Sequence, residues 1–370
     1  MTSVSLLKQN KRSIIARYAR PTNWQGGVQA ATTLSLFVVC WIVAVLAIES
    51  SPVISVLAVA GLTAIMLRLF VLMHECGHGS LFRSPILNRG FGYLFGVLTG
   101  MPQYVWSQNH HYHHSTNGNW EKYRGPLSTL TVEEYAALGS AGQQRYRYMR
   151  SIWLAPFGGL MYMIINPRVN WIRGSFQLFV HVTREKLRNP QADIGELARA
   201  YSSRYWANWK EYRHQTLNNL LLIPLWIVMS WAIGPLMFFG IYLISGGLAG
   251  ALGLVLFTVQ HNFEHASATG DDDWDYDHAA MHGTSFLQLP GWLDWITASI
   301  GYHHIHHLSA SIPNYQLKAC HQEFEHLFDD VKRLTLADLG ASLKCLLWDQ
   351  DAQRIISFRE YEQATAAAGA

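Results

Sequence analysis

Four short stretches of the sequence carry histidines at spacings that suit metal ligands. Two have the form H-x-x-x-H, which puts two imidazoles on one face of a helix, and two have the form H-x-x-H-H. Neutral imidazole binds iron, copper and zinc. Zinc takes only three or four ligands, so the ten candidates are enough for two metal ions. The ten are His74, His78, His110, His113, His114, His261, His265, His303, His306 and His307.

The other histidines are not candidate ligands. His111 and His304 occupy x positions, which point elsewhere on a helix. The remaining six are predicted to be surface or supporting residues: His181, His214, His278, His282, His321 and His326. A single H-x-x-x-H often arises by chance, but two such units together with two H-x-x-H-H units indicate a site.

The composition predicts that a membrane surrounds the elements that carry these histidines. Half of the 370 residues are apolar and only 14% are charged, against roughly 25% in a soluble domain. Four apolar runs each approach the ~20 residues that cross a bilayer as a helix. They cover about residues 30–48, 52–73, 217–234 and 236–259, and Arg68 alone interrupts the second. Two weaker runs, 90–101 and 152–165, are predicted to be interfacial or buried helices.

Other compositional signals exclude further classes of protein. The four cysteines are scattered and form no C-x-x-C pair, so neither a disulfide framework nor a thiolate zinc site is expected. The formal charge of +3 is too small to indicate a nucleic-acid partner. The first apolar run begins too far into the chain for a secretory signal peptide and is predicted to be an anchor.

The charges assign a side of the membrane to each segment. Five bases and no acid lie in residues 8–20, and residues 145–188 carry eight bases against Glu185 alone. The positive-inside rule then places the N-terminus and the long loop between the second and third runs in the cytoplasm, and the count of two hairpins places the C-terminus there as well. We therefore predict an all-α integral membrane protein with four transmembrane helices in two hairpins. All four histidine units fall on the cytoplasmic side.

At the level of motifs, "HECGHGSLF", "NHHYHHSTNGNW", "QHNFEH" and "GYHHIHHLSASIPNY" resemble the histidine boxes of the membrane fatty acid desaturases. The similarity covers about residues 30–330, flanked by a cytoplasmic N-terminal segment, 1–29, and a cytoplasmic tail, 331–370. The short first box is similar to those of acyl-lipid Δ12/ω6 and bacterial Δ5 enzymes.

That resemblance implies a non-haem di-iron centre in a four-helix membrane fold with a helical cytoplasmic cap that carries the site. It also implies O2 as co-substrate and a fatty acyl lipid as substrate, in a bacterial inner membrane. It implies that all ten histidines are candidate iron ligands. His265 matches a family ligand that follows the last crossing helix, whereas His261 stands where stearoyl-CoA-type relatives have an asparagine. The chain lacks the H-P-G-G haem motif of a fused cytochrome b5 domain. Its electrons are therefore expected from a separate ferredoxin or cytochrome b5-type donor.

The implied reaction also predicts supporting residues. Removing hydrogen from unactivated methylenes requires a metal-oxygen oxidant, so no separate acid or base is proposed and the protein holds and orients the cofactor. Glu75 and Glu264 are candidates for orienting the ligand imidazoles. Four aromatic residues are candidates for lining an acyl tunnel, although an interfacial belt is the commoner role for such side chains. They are Tyr104, Trp106, Trp292 and Trp295.

Two other functions stay open at this level. One is a different di-iron lipid oxidation, namely hydroxylation of an alkane or hydroxylation or ketolation of a carotenoid. The other is a haem-binding membrane electron carrier or a metal transporter. The predicted position of the histidines outside the hydrocarbon argues against the carrier and the transporter.

Overall fold

The structure is a computed structural model that describes residues 3–125 and 127–368, and it is mostly helical. Its helices are α1 (Ser3–Tyr18), α2 (Asn23–Ser50), α3 (Pro52–His78), α4 (Pro85–Thr99), α5 (Gln103–Thr116), α6 (Val132–Ala137), α7 (Ser140–Met149), α8 (Ala155–Leu160), α9 (Asn166–Arg188), α10 (Ile194–Ala200), α11 (Trp209–Ile233), α12 (Pro235–His261), α13 (Tyr276–His282), α14 (Gly291–Ile296), α15 (His303–Leu308), α16 (Asn314–Glu323), α17 (Leu339–Ser342) and α18 (Phe358–Ala368). Two 3₁₀ turns, Ile152–Leu154 and Glu325–Leu327, and a π-helical turn, Met161–Ile165, complete the helical elements in the described residues.

Short strands accompany the helices. They are β1 (Leu130–Thr131), β2 (Ser285–Leu287), β3 (Lys332–Leu334), β4 (Leu347–Asp349) and β5 (Arg354–Ile356). β4 pairs with β1 in parallel and with β5 in antiparallel, and β2 pairs with β3 in parallel. The prediction of an all-α chain was wrong in this respect, because strands of two or three residues are too short to show an alternating pattern. Segment 331–370, predicted as a tail, is tied by these strands to residues 130–131 and 285–287.

Four helices are long and apolar enough to cross a membrane: α2, α3, α11 and α12. They confirm the four predicted spans and extend beyond most of the predicted ends. α3 continues past residue 73 through His78, and α12 continues past residue 259 to His261. The apolar run therefore marks only part of each helix, and the histidines lie on its polar extension.

α3 lies at the centre of this packing, where it contacts α2, α4, α5 and α12. Its buried side chains, among them Leu62, Met66 and Leu72, belong to the largest apolar cluster of the molecule. The short helix α8 also packs on α12, and it approaches so closely that glycine is needed at the contact. A Cβ on Gly250 would lie 2.6 Å from the Cα of Gly159.

A second apolar cluster surrounds the last histidine unit and is built mainly by α1, α13, α15 and α16. Leu7 and Ile14 of α1 pack with Ile305 of α15 and Leu317 of α16 in this cluster. The Tyr18 hydroxyl at the end of α1 donates to Glu323 Oε2 at 2.6 Å. The N-terminal segment thus supports the elements that hold the C-terminal histidines.

Candidate metal centre

Each histidine unit lies at or near a helix end that points into one buried region. His74 and His78 form the last turn of α3, which Gly79 terminates with a left-handed conformation at φ 74°. The second unit fills the C-terminal half of α5, and the fourth occupies the six-residue helix α15. His261 is the last residue of α12.

The structure brings nine of the ten predicted histidines together in two groups. Within each group, the candidate ligand atoms all lie within 4.8 Å of one another. The first group is His74, His78, His110, His114 and His306, and the second is His113, His261, His303 and His307. All but His78, which is partly exposed, are buried.

The two H-x-x-H-H units divide their histidines between the groups in opposite ways. The i and i+4 pair of α5, His110 and His114, joins the first group, and His113 joins the second. The corresponding pair of α15, His303 and His307, joins the second group, and His306 joins the first. The two groups are thereby adjacent and share both helices.

The distances between ring nitrogens fit metal coordination. Four pairs of Nε2 atoms lie 2.9 to 3.3 Å apart: His74–His78 (3.3 Å), His110–His114 (3.0 Å), His113–His307 (3.2 Å) and His261–His303 (2.9 Å). Two imidazoles at right angles on one ion, with bonds of about 2.1 Å, would have nitrogens about 3.0 Å apart. The donor set therefore fits two metal ions.

Six of the grouped histidines lie on α5 and α15, which are not membrane-spanning helices, and their surroundings favour the neutral imidazole that binds metal. Burial, reinforced by neighbouring imidazoles, holds the pKa well below its usual value for His110, His113, His114, His303, His306 and His307. His306 differs from the other grouped histidines because neither of its buried ring nitrogens has a hydrogen-bond partner among the described residues. An unpaired buried polar atom is costly, and a metal ion would remove that cost at one of them.

The tenth predicted ligand, His265, lies outside both groups. Its side chain is 75% exposed, and its Nε2 is 3.8 Å from Glu264 Oε1. The i and i+4 spacing does not place His261 and His265 on one helix face, because α12 ends at His261. His261 is instead the residue whose Nε2 lies 2.9 Å from that of His303.

Of the two acidic candidates, one is buried beside a grouped histidine and the other is exposed. Glu264 is 55% exposed and forms an ion pair with Arg354 at 2.8 Å, so the described contacts give no support to its predicted role in orienting a ligand. Glu75 is fully buried, and its Oε1 lies 3.1 Å from His74 Nδ1, although the contact does not meet hydrogen-bond geometry. Its Oε2 accepts hydrogen bonds from Ser80 Oγ and the Asn314 N–H, both at 3.0 Å. The Glu75 carboxylate is thus placed to orient the His74 ring.

Of the four aromatic candidates, Trp106 contacts the histidines directly. Its ring stacks on His110 with centroids 4.5 Å apart and meets His74 edge-on at 5.6 Å. Tyr104 stacks instead on His214 at 4.2 Å. Trp292 and Trp295 are exposed, which suits the interfacial role. A tunnel-lining role for these four stays a prediction.

Two aromatic contacts of the site were not predicted. Phe257 packs against His113 and His261, with ring centroids 4.9 and 5.2 Å away. The ring of Tyr123, in the segment that follows α5, has its centroid 4.6 Å from that of His113. Phe257 stands one turn before His261 on α12, and that spacing is the signal that could have identified it.

One histidine that was predicted to be a surface or supporting residue is buried. His321 is 6% exposed, and its Nδ1 lies 3.1 Å from Nε2 of the excluded His304. His278 and His282 stand four residues apart on α13, with ring centroids 4.5 Å apart, yet join neither group. Spacing on a helix therefore does not define a ligand unless other elements bring partners.

Comparison with known proteins agrees with the geometry. The sequence profile of the family described as "Fatty acid desaturase" matches residues 49–336. A protein named "Fatty acid desaturase" from Bacillus subtilis is 32% identical over 350 residues, covering 93% of this chain and 89% of that protein. An "sn-1 oleoyl-lipid 12-desaturase" from Picosynechococcus is 23% identical, covering 80% of this chain and 76% of that protein.

A plant relative is matched over a shorter stretch. The "sn-2 acyl-lipid omega-3 desaturase (ferredoxin), chloroplastic" of Helianthus annuus is 26% identical over 254 residues, which are 67% of this chain and 50% of that protein. The profile match spans α3, α11 and α12 and all nine grouped histidines. The chain belongs to the fatty acid desaturase family and is an oxidoreductase of that kind.

Proposed function

We propose that the chain uses O2 to insert a cis double bond into a fatty acyl chain of a membrane lipid, at a di-iron centre held by nine histidines. The observation that carries the proposal is the pair of buried histidine groups at the ends of the apolar helices. Carboxylates are absent from the two groups among the described residues, so imidazole nitrogen is the donor offered to both ions.

In this proposal, five histidines hold one iron and four hold the other. Two bound iron ions would supply the O2-derived oxidising power that abstracts hydrogen from two adjacent methylenes. The protein residues contribute position and environment. Glu75 fixes the orientation of the His74 ring, while Trp106 and Phe257 pack apolar surface against ligand rings and exclude water from them.

The names of relatives support a class of substrate and of donor. The Picosynechococcus protein is named for an oleoyl-lipid and the Helianthus protein for an acyl-lipid and ferredoxin. We extend both to this chain as proposals: a lipid-bound acyl chain as substrate and a separate ferredoxin or cytochrome b5-type protein as donor. The position of the double bond is left to experiment.

The proposed membrane arrangement follows from charge and connectivity. α2 and α3 are separated by Ser51 alone, and α11 and α12 by Gly234 alone, so each pair would form a hairpin across the bilayer. The excess of bases before α2 and in residues 145–188 would keep these segments cytoplasmic. The histidines at the ends of α3 and α12 would then face the cytoplasm, in a bacterial inner membrane.

The proposal is tested by expressing the chain in a bacterial host that lacks polyunsaturated lipids. We expect a new unsaturated fatty acid when iron, O2 and a ferredoxin system are present, detected by mass spectrometry of double-bond position. His306→Ala should abolish the product, whereas His326→Ala, at an exposed position on a separate 3₁₀ turn, should not. An unchanged fatty-acid profile with the wild-type chain, or a product that contains added oxygen, would refute the proposal.

A further inference from the structure

A buried arginine within the membrane-spanning helix α3 has hydrogen-bond partners but forms no ion pair with a carboxylate among the described residues. Arg68 is 2% exposed. Its Nε donates to Thr33 Oγ1 at 3.0 Å, its Nη2 to Gln29 Oε1 at 3.1 Å and its Nη1 to the Trp295 carbonyl. A charged side chain buried in a membrane-spanning helix is costly unless an opposite charge compensates it. All three acceptors are neutral, so the compensating negative charge has to come from another group.

The nearest compensating charge on the same helix is Glu75, about two turns further on. It is fully buried, and one of its oxygens faces His74. The other accepts the N–H of Asn314, the first residue of α16. A carboxylate at this position is favoured by the free N–H groups and the dipole of the helix N-terminus. Glu75 therefore joins the first histidine unit to the segment that follows the last one.

Two side-chain amides connect Arg68 with Glu75. Asn314 Nδ2 donates to Gln29 Oε1 at 2.9 Å, and Gln29 Nε2 donates to Asn314 Oδ1 at 3.1 Å. Since Gln29 Oε1 also accepts from Arg68, the hydrogen bonds run in the order Arg68, Gln29, Asn314, Glu75. The hydrogen-bond network links α2, α3 and α16 and ends at Glu75, whose Oε1 lies 3.1 Å from Nδ1 of the candidate metal ligand His74.

We propose that Asn314 and Gln29 are positioning residues for the metal ligand His74. They hold the Glu75 carboxylate against His74 Nδ1. Their hydrogen bonds also connect this carboxylate with the Arg68 guanidinium, so the two opposite charges are linked without a direct ion pair. A direct Arg68–Glu75 pair would draw the carboxylate away from His74. The inference rests on the metal-binding part of the proposed function, and it gives "IPNY", residues 312–315, a physical role.

The test is Co²⁺ binding by the detergent-purified full chain, followed by visible absorption and by competition with a chelator. Glu75→Gln removes the charge. Asn314→Pro removes the N–H, and proline suits the first helical position since Pro313 has ψ 149°. We expect both variants to bind Co²⁺ about 10–100-fold more weakly at one of the two sites, with a changed spectrum.

Two milder variants separate the side chain of Asn314 from its N–H. Asn314→Ala keeps the N–H and removes the amide, and Gln29→Ala removes the other amide. Both should weaken Co²⁺ binding several-fold, less than Asn314→Pro does. The matched control is Gln25→Ala, one turn earlier on α2, where the side chain is exposed and accepts from Thr22. It should leave affinity and spectrum unchanged.

Variants that elute as monodisperse protein yet bind Co²⁺ within about twofold of wild type, with the same spectrum, would overturn the inference. If Asn314→Pro fails to fold, Gln29→Ala decides, because it changes a half-buried side chain on another helix. The measurement needs no desaturation. A wild-type chain that binds Co²⁺ at two sites but yields no unsaturated product would refute the proposed reaction and leave the inference standing.

Discussion

At the scale of residues, the ligand set was largely predictable because the i and i+4 geometry of imidazoles on a helix is local. Nine of the ten candidate histidines meet in two groups. The assignment of each histidine to a group was not predictable, since it depends on how α3, α5, α12 and α15 pack. Asn314 was missed for the same reason: its contact with Glu75 joins residues 239 positions apart.

The pair His261 and His265 provides a residue-scale prediction. His261→Ala should lower the iron content and the desaturase activity, because its Nε2 lies 2.9 Å from that of His303. His265→Ala should change neither, because its side chain is 75% exposed and outside both groups. Iron analysis of the two purified variants checks this. Loss of iron in His265→Ala would mean that the residue ligates metal after a movement of residues 262–266.

At the scale of elements, the apolar runs predicted the four long helices but not where they end. The ends matter most for function: α3 extends to His78 and carries two ligands, whereas α12 stops at His261 and leaves His265 outside. Hydropathy cannot detect these boundaries, because the terminal turns are polar. The short strands were unpredictable because their pairing depends on segments far apart in sequence, such as 130–131 with 347–348.

Two glycines of α12 give a prediction at this scale. Gly250→Ala should destabilise the protein by about 1–3 kcal/mol, because the added Cβ would meet the backbone of α8. Gly240→Ala is the matched control on the same helix, where the added Cβ has nothing within 4 Å. It should be neutral or stabilise by up to about 1 kcal/mol, because alanine favours helix. Thermal unfolding in detergent compares them, and equal midpoints would contradict the close packing of α8 on α12.

At the scale of the whole molecule, both end segments pack onto the body of the protein. α1 packs around α15 and α16, which carry and follow the last histidine unit. In the C-terminal segment, β3 pairs with β2, whose Phe286 belongs to the same apolar cluster, whereas β4 pairs with β1. The sequence predicted the membrane helices and the family, but it presented the two end segments as appendages. Their charge and composition gave no sign that Leu7, Ile14 and Tyr18 are buried.

The central claim is that two buried histidine groups hold two iron ions. Metal analysis of the purified, iron-loaded protein, combined with Mössbauer spectroscopy, tests it most directly. The account predicts two iron ions for each chain, with loss at one site in His306→Ala and at the other in His303→Ala, and no Soret band. A protein that binds a single iron ion, that binds haem, or that keeps both irons in these two variants would contradict it.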